Sequence, residues 1–493
     1  MVLYLIDTSS IALIILSLIM LALAIAISKR VKWFSEARAM TAPAFALTLI
    51  PAFYTVFGTS YQIDLMNWDG IIQYWNYAVS WYPGYILMIV LGVMIRSTGQ
   101  HLTLPDRFAK YSQISELISS FVCLIYLMPL DVMLAFGIIG SIVTGYIIPM
   151  EVFIIIGGLY LIYFTSRNGW AGYSLPGILF FVAMTGIAVT GVMMVNELGG
   201  LSVVLNNVPE GHLVPWFTDI GGFIDTLKNP ATFVWFLMGS AFLIDPMVWQ
   251  RVSLAESEKS VRNGMIFAIL FWGIFDVITV FTGLAVRSIG EDLYYLDVAY
   301  EYLPVIWGSL MLTSNFLVAM AGGSAYLHAA GMIFSQNIAK SLGLIDYNVL
   351  ATDEESEAWY KKGVTIIGGA TIALTLILNF LMPNDPTTTM WLINSGILFG
   401  SLAFPLIFGG IFYREIIPDK AVNYGIIFGL AITLLCIVGG FIAPNYHSII
   451  TLGITPETAS GTPLLDASRI LGFGASIIGW LIGYAISFMQ RRG

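Results

Sequence analysis

The chain has 493 residues, 58% of them hydrophobic and 10% charged, with mean hydropathy +0.85 and a formal net charge of −9. Soluble globular domains carry roughly a quarter charged residues, so a soluble enzyme is excluded, and no basic domain exists to bind nucleic acid. Both cysteines, Cys123 and Cys436, lie inside apolar runs, which removes a disulfide framework or a CxxC metal site.

A spanning helix needs about 20 mostly apolar residues to cross the hydrocarbon core. In chain order the sequence predicts thirteen, over 9–28, 40–62, 73–95, 117–142, 147–165, 174–195, 231–249, 263–286, 304–335, 363–382, 390–412, 422–443 and 468–488. The first is followed by Lys29, Arg30 and Lys32 and reads as an anchor, not a cleaved signal. The second carries Pro51 within "ALTLIPAFYTVFGTS", and the fourth holds Asp131 two residues after Pro129. The seventh contains Gly239-Ser240 and then Asp245-Pro246; the eighth places Asp276 near its middle, in "FWGIFDVITVF". The ninth is longer than a bilayer requires and carries His328 on an Ala/Gly-rich face.

The gaps 196–230, 336–362 and 444–467 are too short to bury cores of their own, so 1–493 reads as one transmembrane domain. With the N-terminus outside and the C-terminus inside, all of the 21 Lys and Arg fall on the cytoplasmic side except Lys228, Arg287 and Arg469. That is a strong positive-inside bias, and a missed helix would invert it downstream. Arg251, Lys259 and Arg262 are assigned to a cytoplasmic loop between the seventh and eighth spans.

Proline removes a backbone donor and glycine weakens a helix, so breaks at Pro51 and at Gly239 to Pro246 free carbonyls that can hold a cation or a solute. The two breaks lie five spans apart, which fits paired repeats over about 40–195 and 231–412, with 9–28, 422–443 and 468–488 flanking them. A carboxylate at mid-membrane costs a few kcal/mol, so Asp276 is the foremost functional acid. Asp245 reads equally as an interfacial helix break, and Asp131 as an acid held in a hydrated one. The four histidines show no metal-ligand spacing, His328 reads as a packing or hydrogen-bonding residue, and no P-loop is present.

"QRVSLAESEKSVRNG" (Gln250 to Gly264), "TLPDRFAKY" (Thr103 to Tyr111) and "GGSAYLHAAGMIFSQNIAK" resemble, in order and in membrane side, three elements of the sodium:solute symporter family. The resemblance implies an all-α polytopic protein with a leucine-transporter-like five-plus-five inverted-repeat core. It implies alternating-access cotransport of a small organic solute with sodium across the cell membrane, and no enzymatic activity or further cofactor. By motif position the sodium ligands fall at the carbonyls of Thr48, Pro51 and Val318 and at two hydroxyl positions, here Ala321 and Gly322, with Ser324 the nearest hydroxyl. A second cation element, a Thr-Asp pair in the family, falls near Leu175-Pro176-Gly177, without an acid. The solute pocket falls at Tyr54, Thr55, Phe242 and Trp272, beside Asp276, a set that suits an amine or cationic solute better than a sugar. The residues leave open a proton-coupled or uncoupled carrier and a transport-inactive sensor or partner subunit. The oligomeric state is not legible.

Overall fold

The computed structural model describes residue 15 and residues 40–55, 57–71, 78, 81–97, 102–168, 174–213, 239–290, 293–349, 353–381, 386–412, 417–442 and 463–490. The expected first span and the start of the seventh, 231–238, lie outside the described residues. Within them the chain is helical, with a single isolated backbone bridge between Met40 and Ala255. Among the described residues, eight helices are long and apolar enough to cross a membrane, and one bent pair makes a ninth; Tyr82–Ser97 and Ile393–Gly409 are shorter apolar helices.

The bent pair is the predicted break. Helix α1 (Ala42–Phe53) ends where Pro51, lacking an N–H, cannot bond the carbonyl of Leu47, and Tyr54 leaves helical geometry at φ −89°, ψ 63°. A π turn (Phe57–Tyr61) and α2 (Gln62–Asp69) continue the span after a bend of 74°. The break is real.

Next come α3 (Tyr82–Ser97), α4 (Gln113–Tyr126), α5 (Leu130–Val143), α6 (Met150–Asn168) and α7 (Ser174–Glu197). The second break follows. A 3-10 turn (Ser240–Ile244) gives way to Asp245 in an extended conformation, and α8 (Pro246–Leu254) starts with Pro at its first position. The Asp245 carboxylate caps α8, accepting from the N–H groups of Met247 at 2.6 Å and Val248 at 3.2 Å. Asp245 is fully buried and also accepts from the Tyr126 hydroxyl, so it caps a helix inside the bundle.

All nine residues of α8 are buried, Arg251 included. The cytoplasmic loop predicted over Gln250 to Gly264 therefore shrinks to a bend at Ala255–Ser257, before α9 (Glu258–Ile289). On α9 the exposed Leu270, Ile274, Val277 and Phe281 recur at helical spacing, and the buried Trp272, Phe275 and Thr279 mark the opposite face. That is a lipid stripe against a core stripe.

The long helix α10 (Val305–Ile333) runs on through a π turn to Ala339. Then follow α11 (Glu354–Leu381), α12 (Pro386–Pro405), α13 (Asp419–Ile442) and α14 (Pro463–Gln490). Helix α10 packs on α7, and α9 packs on α1, α2 and α3, so both broken spans lie at the centre, with α13 and α14 packed together at the flank. Two of the quoted motif stretches meet at one end: Asn337 accepts from the Thr103 hydroxyl at 2.7 Å and donates to Asp106 at 2.6 Å and Glu116 at 2.9 Å.

Candidate functional site

Tyr54 is the residue at which α1 stops being helical, and this turns its side chain across the bundle. Its hydroxyl lies 2.8 Å from Asp276 Oδ1 on α9 and 2.8 Å from Gln62 Oε1 on α2. Tyr82 on α3 donates to Asp276 Oδ2 at 2.5 Å, and Thr279 donates to the Asp276 carbonyl at 2.9 Å. The carboxylate of Asp276 is thus steered by two phenols from two different helices and remains half-buried. Hydrogen bonds of this kind fix the orientation of the carboxyl group.

A cavity opens beside this cluster, lined in part by Phe53, Tyr54, Thr55, Trp81, Tyr82, Tyr85, Trp272, Asp276 and Asp131. The wall is aromatic: Trp272 stacks on Tyr85 with centroids 4.2 Å apart, and Phe53 lies 6.1 Å from Trp272. Phe242 backs this wall instead of facing the space; it is fully buried, 4.4 Å from Phe53 and 4.7 Å from Tyr85. Asp131, expected to rest in a hydrated break, accepts from Thr55 Oγ1 at 3.1 Å and lines the cavity. Two polar atoms of the same lining have no hydrogen-bond partner among the described residues: the buried Nε1 of Trp272, a donor, and Oδ1 of Asn394, an acceptor. Among the described residues, no Lys, Arg or His lines the space. The site therefore offers two carboxylates, aromatic faces, one spare donor and one spare acceptor.

Of the expected sodium positions, Pro51 and Gly322 approach one another. Val318, Ala321 and Gly322 are buried on α10, and Gly322 faces the break: a Cβ there would lie 3.3 Å from the Pro51 carbonyl oxygen and 3.1 Å from Thr55 Cγ2. The Thr48 carbonyl accepts from Arg251 Nε at 2.9 Å, while the Thr48 hydroxyl donates to the Phe45 carbonyl at 3.0 Å. Ser324 turns its hydroxyl back to the Ala321 carbonyl at 3.0 Å. His328 is buried and bonds the Tyr360 hydroxyl through Nδ1 at 2.8 Å, as the packing reading expects.

Sequence reasoning passed over Trp81, Tyr82, Tyr85, Asn394 and Arg251. The first three stand in "YWNYAVSWYPGY", whose aromatic density was the available signal. Asn394, with Ser395, was a polar pair inside a span. Arg251 was visible only as a charge, and was placed in solvent.

The cavity sits where the first interrupted span, α3, α5 and α9 converge. Solved structures of similar architecture include a Na+-coupled sialic acid symporter in a substrate-bound outward-open state (TM-score 0.70, 15% identity, 97% of each chain covered). Mhp1, a nucleobase-cation-symport-1 family transporter solved closed with bromovinylhydantoin bound, matches with TM-score 0.52 at 12% identity, over 92% of this chain and 93% of that one. MhsT in complex with L-phenylalanine matches with TM-score 0.50 at 12% identity, over 91% and 100%. No family model and no curated protein sequence matches the chain. At these identities the likeness establishes the fold, which is the leucine-transporter-like one of a multi-pass membrane protein.

Proposed function

We propose that the chain is a secondary carrier that moves a small organic cation, an amine with an aromatic or apolar body, by alternating access through the cavity beside the first broken span. The carrying observation is the half-buried Asp276 carboxylate, held by Tyr54 and Tyr82 within a wall of aromatic rings. An ammonium group set against Asp276 gains a charge-assisted hydrogen bond. The rings of Trp272 and Tyr85 add cation–π attraction and bury the apolar body. Asp131 adds a second carboxyl group to the same space. A sugar would gain no cation–π attraction from the rings, and an anionic solute would face the Asp276 carboxylate. The fold shared with solved transporters supports the carrier reading, and the repeat organisation over 40–195 and 231–412 accounts for rocking about a fixed central site.

In this reading the N-terminus is outside and the C-terminus inside the cell membrane. A cysteine placed at Asn206 is labelled by an impermeant reagent from outside, and one placed at Lys259 only after permeabilisation; the reverse pattern refutes that orientation.

The transport reading is tested by counterflow. Proteoliposomes preloaded with unlabelled phenethylamine should accumulate labelled phenethylamine transiently, because a carrier exchanges one molecule for another at a single alternating site. Equilibration without overshoot means a channel. No uptake beyond protein-free liposomes refutes carriage of this amine.

A further inference from the structure

We propose that the solute carries a hydrogen-bond donor, such as a hydroxyl, at the end away from its ammonium, and that Asp131 and Asn394 select it. The inference deepens the amine-carrier reading and rests on it. It concerns a second end of the cavity, at the junction of α4 and α5.

Tyr54 and Thr55 are consecutive residues where α1 stops being helical, and their hydroxyls serve different helices. Tyr54 reaches Asp276 on α9, whereas Thr55 Oγ1 donates to Asp131 Oδ2 on α5 at 3.1 Å. Both carboxyl groups line one cavity and share it with the rings of Phe53, Tyr85 and Trp272.

Asp131 is not alone at its end. Helix α4 stops at Tyr126, α5 starts at Leu130, and Met128, Asp131 and Asn394 of α12 line the same space. Asn394 is 8% exposed, and its Nδ2 donates to the Met128 carbonyl at 3.0 Å. A carbonyl only accepts, so this bond fixes which way the amide is turned. The nitrogen faces Met128, and Oδ1 has no partner among the described residues. A buried acceptor of this kind is costly to leave unpaired.

Three donors around this end are directed into the protein: Thr55 to Asp131, Tyr126 to Asp245, and Asn394 to Met128. What remains for a solute is the Asp131 carboxyl and the Asn394 oxygen. A carboxyl group keeps an acceptor oxygen whether it is ionised or protonated. A solute group that donates therefore completes this end. An ether oxygen sets lone pair against lone pair, and a bare aryl end leaves the acceptors unpaired. Sites of this kind discriminate against the analogue that lacks the donor, because their own polar groups are then left without a partner.

The test measures binding of three amines to the purified full-length chain by calorimetry. Tyramine has a phenolic O–H, 4-methoxyphenethylamine an oxygen that only accepts, and phenethylamine neither. Tyramine should bind roughly three- to tenfold more tightly than phenethylamine, the worth of one hydrogen bond. The methoxy compound should bind no more tightly than phenethylamine. Equal affinities for all three, or a methoxy compound as tight as tyramine, overturn the proposal. 4-Propylphenol, 4-propylanisole and propylbenzene repeat the comparison without the ammonium. If the phenol keeps its advantage there while no amine is preferred over its neutral counterpart, the amine reading falls and the donor site stands. If the phenol has no advantage in either series, the donor site falls. If no compound in either series binds, both fall. Asn394→Leu and Asp131→Ala should each shrink the ratio of tyramine to phenethylamine affinity. A general loss of binding cancels in that ratio, so an unchanged ratio in both variants overturns the assignment to these residues. If Asp131→Ala does not fold, Asn394→Leu and the wild-type series decide.

Discussion

The two faces of the first broken span received the same raw material and became different things. Both present backbone freed by Pro51, one toward α9 and the other toward α7 and α10. Toward α9 the side chains are Tyr54, Tyr82, Trp272 and Asp276, large or acidic, and a cavity remains among them. Toward α7 and α10 the neighbours are Gly177 and Gly322: the Leu47 carbonyl oxygen lies 2.3 Å from where a Cβ at Gly177 would stand, and the Pro51 carbonyl oxygen 3.3 Å from one at Gly322. A helix break alone therefore does not decide how open its surroundings are. The residues facing it decide whether freed carbonyls look into space or into backbone.

The sharpest way to break this contrast is at Asp276. Asp276→Asn keeps the shape and the two phenols but removes the charge; removing one partner of a buried charge pair costs about 2–5 kcal/mol, which is a loss of more than tenfold in amine affinity. Phenethylamine counterflow should fall accordingly, with thermal stability near that of wild type. Retained affinity would mean the solute does not sit on Asp276.

The closed face is tested by forcing it open. Gly177→Ala inserts a methyl 2.3 Å from the Leu47 carbonyl oxygen, and overpacking of this kind costs about 1–3 kcal/mol. The melting temperature should drop.

A smaller effect is expected at the aromatic wall. Trp272→Leu leaves an apolar side chain but removes the ring face, and cation–π contacts are worth about 0.5–2 kcal/mol. Amine affinity should weaken by severalfold, with propylbenzene binding little altered. Equal weakening of both would assign Trp272 a packing role alone.

The backbone plan was legible because it follows from simple physics. Apolar runs of spanning length, Pro51 and Asp245-Pro246 each state their consequence locally, and the described helices follow the predicted spans, though α2 carries the second one past its expected end at 62 to Asp69. Asp276 was legible for the same reason, as an acid among apolar neighbours. Arg251 was not. Gln250 to Leu254 follow the predicted end of the seventh span at 249 and read as loop, whereas they complete the helix Pro246–Leu254 enclosed by others, and enclosure is a property of tertiary packing. Asp131 was judged by its near neighbour Pro129, but its partner is Thr55, 76 residues away. Phe242 was assigned to the solute by its position in the chain, and packing set it one layer behind.

The most direct test of the account titrates three molecules of one shape against the purified chain, following tryptophan fluorescence or heat. Phenethylamine carries a positive charge, propylbenzene none, and phenylpropionate a negative one. If Asp276 and Asp131 face the solute, phenethylamine binds best, propylbenzene more weakly and phenylpropionate not at all, and in Asp276→Asn the advantage of the amine over propylbenzene shrinks. Tighter binding of phenylpropionate than of phenethylamine would contradict the account at its centre.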